Sequence, residues 1–142
     1  MSFKTHIIAC GVMELDFAVL AEKLGQQLSC EYLEAGLHAT PAELRRQLQH
    51  RINIVSDKET MDRIVIGYGI CGRGVVGIKA RNVPLVVPRV HDCISLFLGS
   101  NAAYKEQFTQ CPGTFYISAG WYDKKVQPLR QPNRNEPFQN RA

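Results

Sequence analysis

Thr5-His6-Ile7-Ile8-Ala9-Cys10-Gly11 and Asp62-Arg63-Ile64-Val65-Ile66-Gly67-Tyr68 are the two stretches that decide the fold class. Each is a short apolar run that ends in glycine. Continuous apolar runs without polar alternation suit strands covered on both faces, as in a parallel sheet. The residues that follow the first run change period. Leu15, Ala18, Val19 and Leu24 recur at helical spacing through residues 13–28, with Glu22 and Lys23 expected on the outer side.

The alternation continues along the chain. Cys30-Glu31-Tyr32-Leu33 reads as a second strand, with Gly36 releasing the chain from it. Thr40-Pro41-Ala42-Glu43 has the residues of a capping box with proline at the first helical position, and predicts a helix to about Ile54. After the third strand come the glycines of Gly67-Tyr68-Gly69-Ile70-Cys71-Gly72-Arg73-Gly74. Val75, Val76, Ile78 and Ala80 predict a short helix, Pro84-Leu85-Val86-Val87-Pro88 a strand, Ser100 to Gln110 a helix, and Thr114-Phe115-Tyr116-Ile117 a last strand. Strands alternating with helices imply right-handed parallel crossovers. The expected architecture is α/β: a three-layer, doubly wound, mostly parallel sheet with helices on both faces.

A chain of 142 residues with a hydrophobic fraction of 45% and a charged fraction of 21% fits one globular domain. Residues 1–122 are assigned to it. Residues 123–142 hold Pro128, Pro132 and Pro137 among arginines and asparagines, which predicts an extended or disordered tail. That tail carries Lys124, Lys125, Arg130, Arg134 and Arg141 against Asp123 and Glu136, so it accounts for most of the formal charge of +4. The body is close to balanced, and no nucleic-acid surface is expected. No apolar run reaches the length of a membrane span and no secretory h-region opens the chain, so the expectation is a cytoplasmic protein without membrane contact.

Five cysteines in a chain of that kind argue for metal binding, thiol chemistry or simple burial rather than a disulfide framework. In an open parallel sheet, ligands bind beyond the carboxyl ends of the strands. Cys10 ends the first strand, Cys71 lies in the glycine-rich loop after the third, and His91-Asp92-Cys93 follows the strand at Val86-Val87. Thiolates and imidazole are zinc ligands, and thiolates also hold iron–sulfur clusters. Cys10, Cys71, His91 and Cys93 are the expected metal ligands. Any one of these cysteines alone is most simply a small buried hydrophobe; the functional reading comes from their joint position. Cys30, within a strand, and Cys111, before Pro112-Gly113, are expected to be packing or surface residues.

Around that set, Asp92 is expected to orient an imidazole or act as a general base, and Arg73 and Arg89 to hold an anionic substrate. Gly69, Gly72 and Gly74 would let a ligand approach main-chain N–H groups. Their spacing does not match the dinucleotide fingerprint, and there is no G-K-[ST] phosphate loop. His6, inside the first strand, is assigned to packing, and Glu14 to the start of the first helix.

Ala9-Cys10-Gly11, Gly67-Tyr68-Gly69-Ile70-Cys71-Gly72, Pro88-Arg89-Val90-His91-Asp92-Cys93-Ile94, Leu98-Gly99-Ser100 and Pro112-Gly113-Thr114-Phe115-Tyr116 together resemble an uncharacterised prokaryotic domain-of-unknown-function family. The resemblance spans about Thr5 to Trp121. Members look like cytoplasmic proteins, and some in methane-producing archaea are encoded beside corrinoid-dependent methylamine methyltransferases. This implies one-carbon or methyl-group metabolism. The family's shared Cys, Cys and His-Asp-Cys motifs fall on Cys10, Cys71, His91, Asp92 and Cys93. Typical members continue in helical sequence where this chain enters its Pro/Arg/Asn-rich tail.

The leading expectation is a metal-dependent enzyme with zinc, or alternatively an iron–sulfur cluster, acting on a small-molecule substrate. The other readings are a cofactor-binding accessory protein for a corrinoid methyltransferase system and a metal-free enzyme with Cys71 or Cys93 as nucleophile. A homo-oligomer and a methyltransferase complex are both left open.

Overall fold

The structure, a computed structural model, describes residues 3–24, 28–58 and 60–124, without the side chain of Cys71. Its centre is a four-stranded sheet of β1 (Thr5–Cys10), β2 (Leu28–Leu33), β3 (Arg63–Gly67) and β4 (Leu85–Val86). All pairs are parallel, in the order β2-β1-β3-β4. α1 (Glu14–Leu24) joins β1 to β2 on one side, and α2 (Pro41–Asp57) carries the chain back past β1 to β3. The direction of winding therefore reverses between β1 and β3. Right-handed crossovers then put α1 and α2 on opposite faces of the sheet, which is the expected α/β arrangement.

Register assigns the two faces. Ile8 lies opposite Glu31 and Ile66, and His6 opposite Ser29 and Ile64, so these side chains share a face. α2 covers it. Leu44, Leu48 and Ile52, one helical turn apart, are fully buried, as are Ile8, Ile64 and Ile66 beneath them. At the edge of this layer His6 contacts Ser29 Oγ at 2.6 Å and Glu31 Oε1 at 3.1 Å, and Arg51 of α2 reaches Glu31 at 3.7 Å. The packing role expected of His6 is thus observed.

On the other face Ala9 and Gly67 leave room for Phe17 of α1, and a Cβ at Gly67 would stand 2.5 Å from the Ala9 methyl. α1 itself buries no residue. Its predicted stripe is reversed: Leu15 and Val19 are exposed, and the residues turned inward are Glu14, Phe17 and Ala21.

The second half of the chain departs from several expectations. α3 (Cys93–Leu98), α4 (Asn101–Gln110) and α5 (Ala119–Asp123) follow β4. Each starts at a side-chain cap: Asp92 accepts from Ser95 N at 3.0 Å, Ser100 from Ala103 N at 3.0 Å and Ser118 from Trp121 N at 3.2 Å. The capping box at Thr40 does not form. Thr40 Oγ1 donates to Leu37 O at 3.4 Å, and the Glu43 carboxylate is held by Arg46 and Gln47, which keep it down at about 2. Residues 75–80 form no helix: a turn ends at Gly77 (φ +91), and the irregular segment after it docks on α2 through Gln49 and the backbone of Lys79. Thr114-Phe115-Tyr116-Ile117 is not a strand. Thr114 binds Gln107 and Tyr116 packs on Tyr104, so the segment lies along α4 and leaves Phe115 and Ile117 exposed. α5 extends one residue past the expected domain end at 122, and the expected tail from residue 125 lies outside the described residues.

The caps separate two threonine/serine sites of similar sequence appearance. Ser100→Ala removes an observed cap bond and should lower stability by about 1 kcal/mol. Thr40→Ala removes none and should change it by no more than about 0.5 kcal/mol. Urea unfolding of both variants measures the difference.

Candidate functional site

Parallel strands bring three loops to the carboxyl edge of the sheet, and two of them flank the β1/β3 reversal where such folds bind ligands. β1 ends at Cys10, buried at 7% exposure within the main apolar cluster. The next residues, Gly11–Met13, make a single tight turn into α1. A Cβ at Gly11 would come 3.0 Å from Leu33 O, and one at Gly120 would collide with Val12 O. The β1 loop is thereby clamped between the end of β2 and α5.

The loop after β3 is packed from both ends. A Cβ at Gly69 would lie 2.5–2.8 Å from backbone atoms of Asp92, and one at Gly74 would lie 2.5 Å from Leu44. Ile70 N donates to Val90 O at 3.1 Å, which ties this loop to the one after β4. Between these points Gly72 (φ +58) and Arg73 (φ +67) both take the left-handed conformation, and Arg45 donates to Arg73 O at 3.3 Å. For arginine this conformation is uncommon and is held by its surroundings. Gly69 and Gly74 serve close packing, whereas Gly72 is exposed. Cys71 opens the turn Cys71–Arg73, and its side chain lies outside the described residues.

The third loop is braced by Asn101. Its Oδ1 accepts from His91 N and its Nδ2 donates to Arg89 O, both at 2.9 Å. Asp92 is divided in its work. Oδ1 caps α3, while Oδ2 lies 3.4 Å from His91 Nδ1. The imidazole is otherwise in solvent, with 80% of its side chain exposed, and Arg73 and Arg89 are exposed as well. Cys93 is the first residue of α3, half-buried, and packs against the cluster that contains Cys10.

The loops carrying Cys10, Cys71 and Cys93 therefore lie at one edge of the sheet, the latter two in direct contact. Among the described residues no three His, Cys, Asp or Glu side chains are grouped to hold a metal ion. Cys30 lies half-buried in β2 beside Tyr32, whose phenol is pushed well above its ordinary range by burial and by the bond to Cys30. Cys111 is exposed at the end of α4.

Sequence reasoning missed an aromatic wall next to Asp92. Tyr104 and Tyr116 stack edge to face with centroids 5.8 Å apart. The Tyr104 phenol is pushed up by burial and by the neighbouring Asp92 and Tyr116. The Tyr116 hydroxyl is buried without a hydrogen-bond partner among the described residues. Tyr68, in the glycine-rich loop, is buried at the same edge. The available signal was the Gly-Tyr-Gly and Pro-Gly-Thr-Phe-Tyr stretches. A separate cleft of about 730 Å³ lies beyond β1 and β2, lined by Gly11, Glu14, Tyr32, Glu34 and Lys124, with Lys124 Nζ 2.7 Å from Glu14 Oε2.

A family model described as "Protein of unknown function (DUF1638)" matches residues 32–141, and the chain belongs to that family. The match starts later than the resemblance at Thr5 and continues through most of the Pro/Arg/Asn-rich segment. No curated protein and no solved structure matches the chain.

The contact between the second and third loops is open to direct test. Gly69→Ala forces a methyl into the Asp92 backbone and should destabilise by about 2 kcal/mol or more, in the range of overpacked cores. Gly113→Ala, where nothing stands within 4 Å, should change stability by less than about 0.5 kcal/mol. Thermal unfolding of the pair reads the contrast.

Proposed function

We propose that this DUF1638 protein is a cytoplasmic enzyme of thiol or methyl-group chemistry that binds zinc through Cys10, Cys71 and Cys93, with His91 as a fourth or alternative ligand. The observation that carries the reading is the contact of the β3 loop with the β4 loop, Gly69 against Asp92 and Ile70 N to Val90 O, at the edge where Cys10 and Cys93 both pack on one apolar cluster. The donor chemistry fits. Three soft thiols and one imidazole are a zinc set, and the apolar cluster around Cys10 and Cys93 limits access of water to those two thiols. The same thiols could serve an iron–sulfur cluster.

Bound zinc would supply a Lewis acid that lowers the pKa of a bound thiol or water. The remaining work falls to the chain. Asp92 holds His91 by Oδ2 while its other oxygen is fixed by the α3 cap, so the carboxylate is rigid and the imidazole free to meet a ligand. Arg73 and Arg89, exposed on adjoining loops, offer guanidinium groups to an anionic substrate. Tyr104 and Tyr116 form a wall with phenol hydroxyls as hydrogen-bond donors. In this role Asp92 is a positioning residue.

A second reading, a metal-free cysteine enzyme, draws on the His91–Asp92 contact. An exposed imidazole oriented by a carboxylate two residues from a thiol has the parts of a base for Cys93.

Metal analysis of anaerobically purified variants tests the first reading against the second. Cys71→Ser and Cys93→Ser should each lower zinc or iron content at least severalfold, and Cys111→Ser should leave it unchanged. Loss of metal in His91→Ala makes the imidazole a ligand, and metal retained with activity lost assigns it to acid–base work. Full stoichiometry in both Cys71→Ser and Cys93→Ser would defeat the metal site, and rapid iodoacetamide labelling of one low-pKa cysteine would then favour the second reading.

A further inference from the structure

α1 reads Glu14-Leu15-Asp16-Phe17-Ala18-Val19-Leu20-Ala21-Glu22-Lys23-Leu24, with large aliphatic residues spread around its circumference. A helix with this many large aliphatic residues ordinarily turns them toward the core. Here none of its residues is buried: Leu15, Val19, Leu20 and Leu24 are 45%, 49%, 47% and 56% exposed. Beside it runs a groove of about 400 Å³, where Val19 and Leu20 line one wall and Leu96 and Phe97 of α3 the other. Such a contiguous apolar surface marks an interaction site.

The charge pattern identifies the occupant. About a point midway between Val19 and Leu20 the helix is complementary to itself. Reversal through that point sets Asp16 against Lys23 and Val19 against Leu20, while Leu15 and Leu24, half a turn apart around the helix, lie at the two flanks of that face. Asp16 and Lys23 are two turns apart and so lie on one side of the helix, the side flanked by Val19 and Leu20. Both are exposed, and among the described residues neither takes part in an ion pair. A parallel pairing would set like charges together. An antiparallel one joins opposite charges at both ends, as a two-fold axis requires.

We infer that α1 is a homodimer surface, packing antiparallel on α1 of a second copy of this chain through Val19 and Leu20, flanked by Leu15 and Leu24, with an Asp16–Lys23 ion pair at each end. The inference does not depend on the metal reading, because none of these residues belongs to the three loops.

Sedimentation velocity of the full chain in reducing buffer, over a micromolar concentration series, tests it. The wild type should dimerise, and Leu20→Asp should be monomeric. Asp16→Lys and Lys23→Asp each set like charges together at both ends and should weaken the dimer about tenfold, while the double swap Asp16→Lys/Lys23→Asp should restore it. Circular dichroism checks the helix content of each variant. If Leu20→Asp fails to fold, the charge series alone decides, because both side chains stand in solvent. A monomer at every concentration overturns the inference, as does a dimer indifferent to the single swaps or one that the double swap does not recover; a surface built for a different protein would give the first of these.

Discussion

The contact of Leu44, Leu48 and Ile52 with Ile8, Ile64 and Ile66 holds β1 and β3 side by side under α2, and the rest of the molecule is referred to it. Burial of each such side chain contributes about 1.5–3 kcal/mol. More important for function, the layer fixes where both strands end. Cys10 and the glycine-rich loop leave the sheet next to each other at the reversal of winding, and Gly74 sits on Leu44 of the same layer. Gly69 then extends the order outward by seating the β3 loop on the backbone of Asp92. Small residues are required at these points because backbone meets backbone or a buried leucine.

The parts of this arrangement that were legible in sequence are those determined locally. β1 and β3 could be read because each is an apolar run stopped by glycine, and α2 because Pro41 marks its first position. The positions of the three cysteine-bearing loops followed from the strands they succeed. What escaped was decided by tertiary contact. Phe115 and Ile117 have strand-like residue types, yet Thr114 and Tyr116 find their partners on α4, so the segment never reaches the sheet. Thr40 and Glu43 have capping-box identities, but Arg46 and Gln47 compete successfully for the carboxylate. Tyr104 and Tyr116 were invisible as site residues because they approach Asp92 through the packing of α4 and the segment after it, twelve and more residues downstream in the chain.

α1 shows the same limit in another form. Its periodicity marks a helix, but large aliphatic residues spread around its circumference do not say which side meets the sheet. The inward position of Phe17 is set by the missing side chain at Gly67 on the neighbouring strand. The larger aliphatic residues are left outward, so this helix contributes little to the core.

The candidate site combines a buried Cys10 and a half-buried Cys93 with an exposed imidazole, two exposed guanidinium groups, and a carboxylate shared between a helix cap and that imidazole. The central claim is that the thiols of Cys10, Cys71 and Cys93 act together on one ion. Cobalt(II) titration of the reduced, metal-free protein, followed by absorption spectroscopy, tests this most directly. The account predicts one equivalent of cobalt with intense thiolate-to-metal charge-transfer bands, in proportion to three sulfur ligands. Cobalt that stays in its pale hydrated form, with no thiolate band at any ratio, would contradict it.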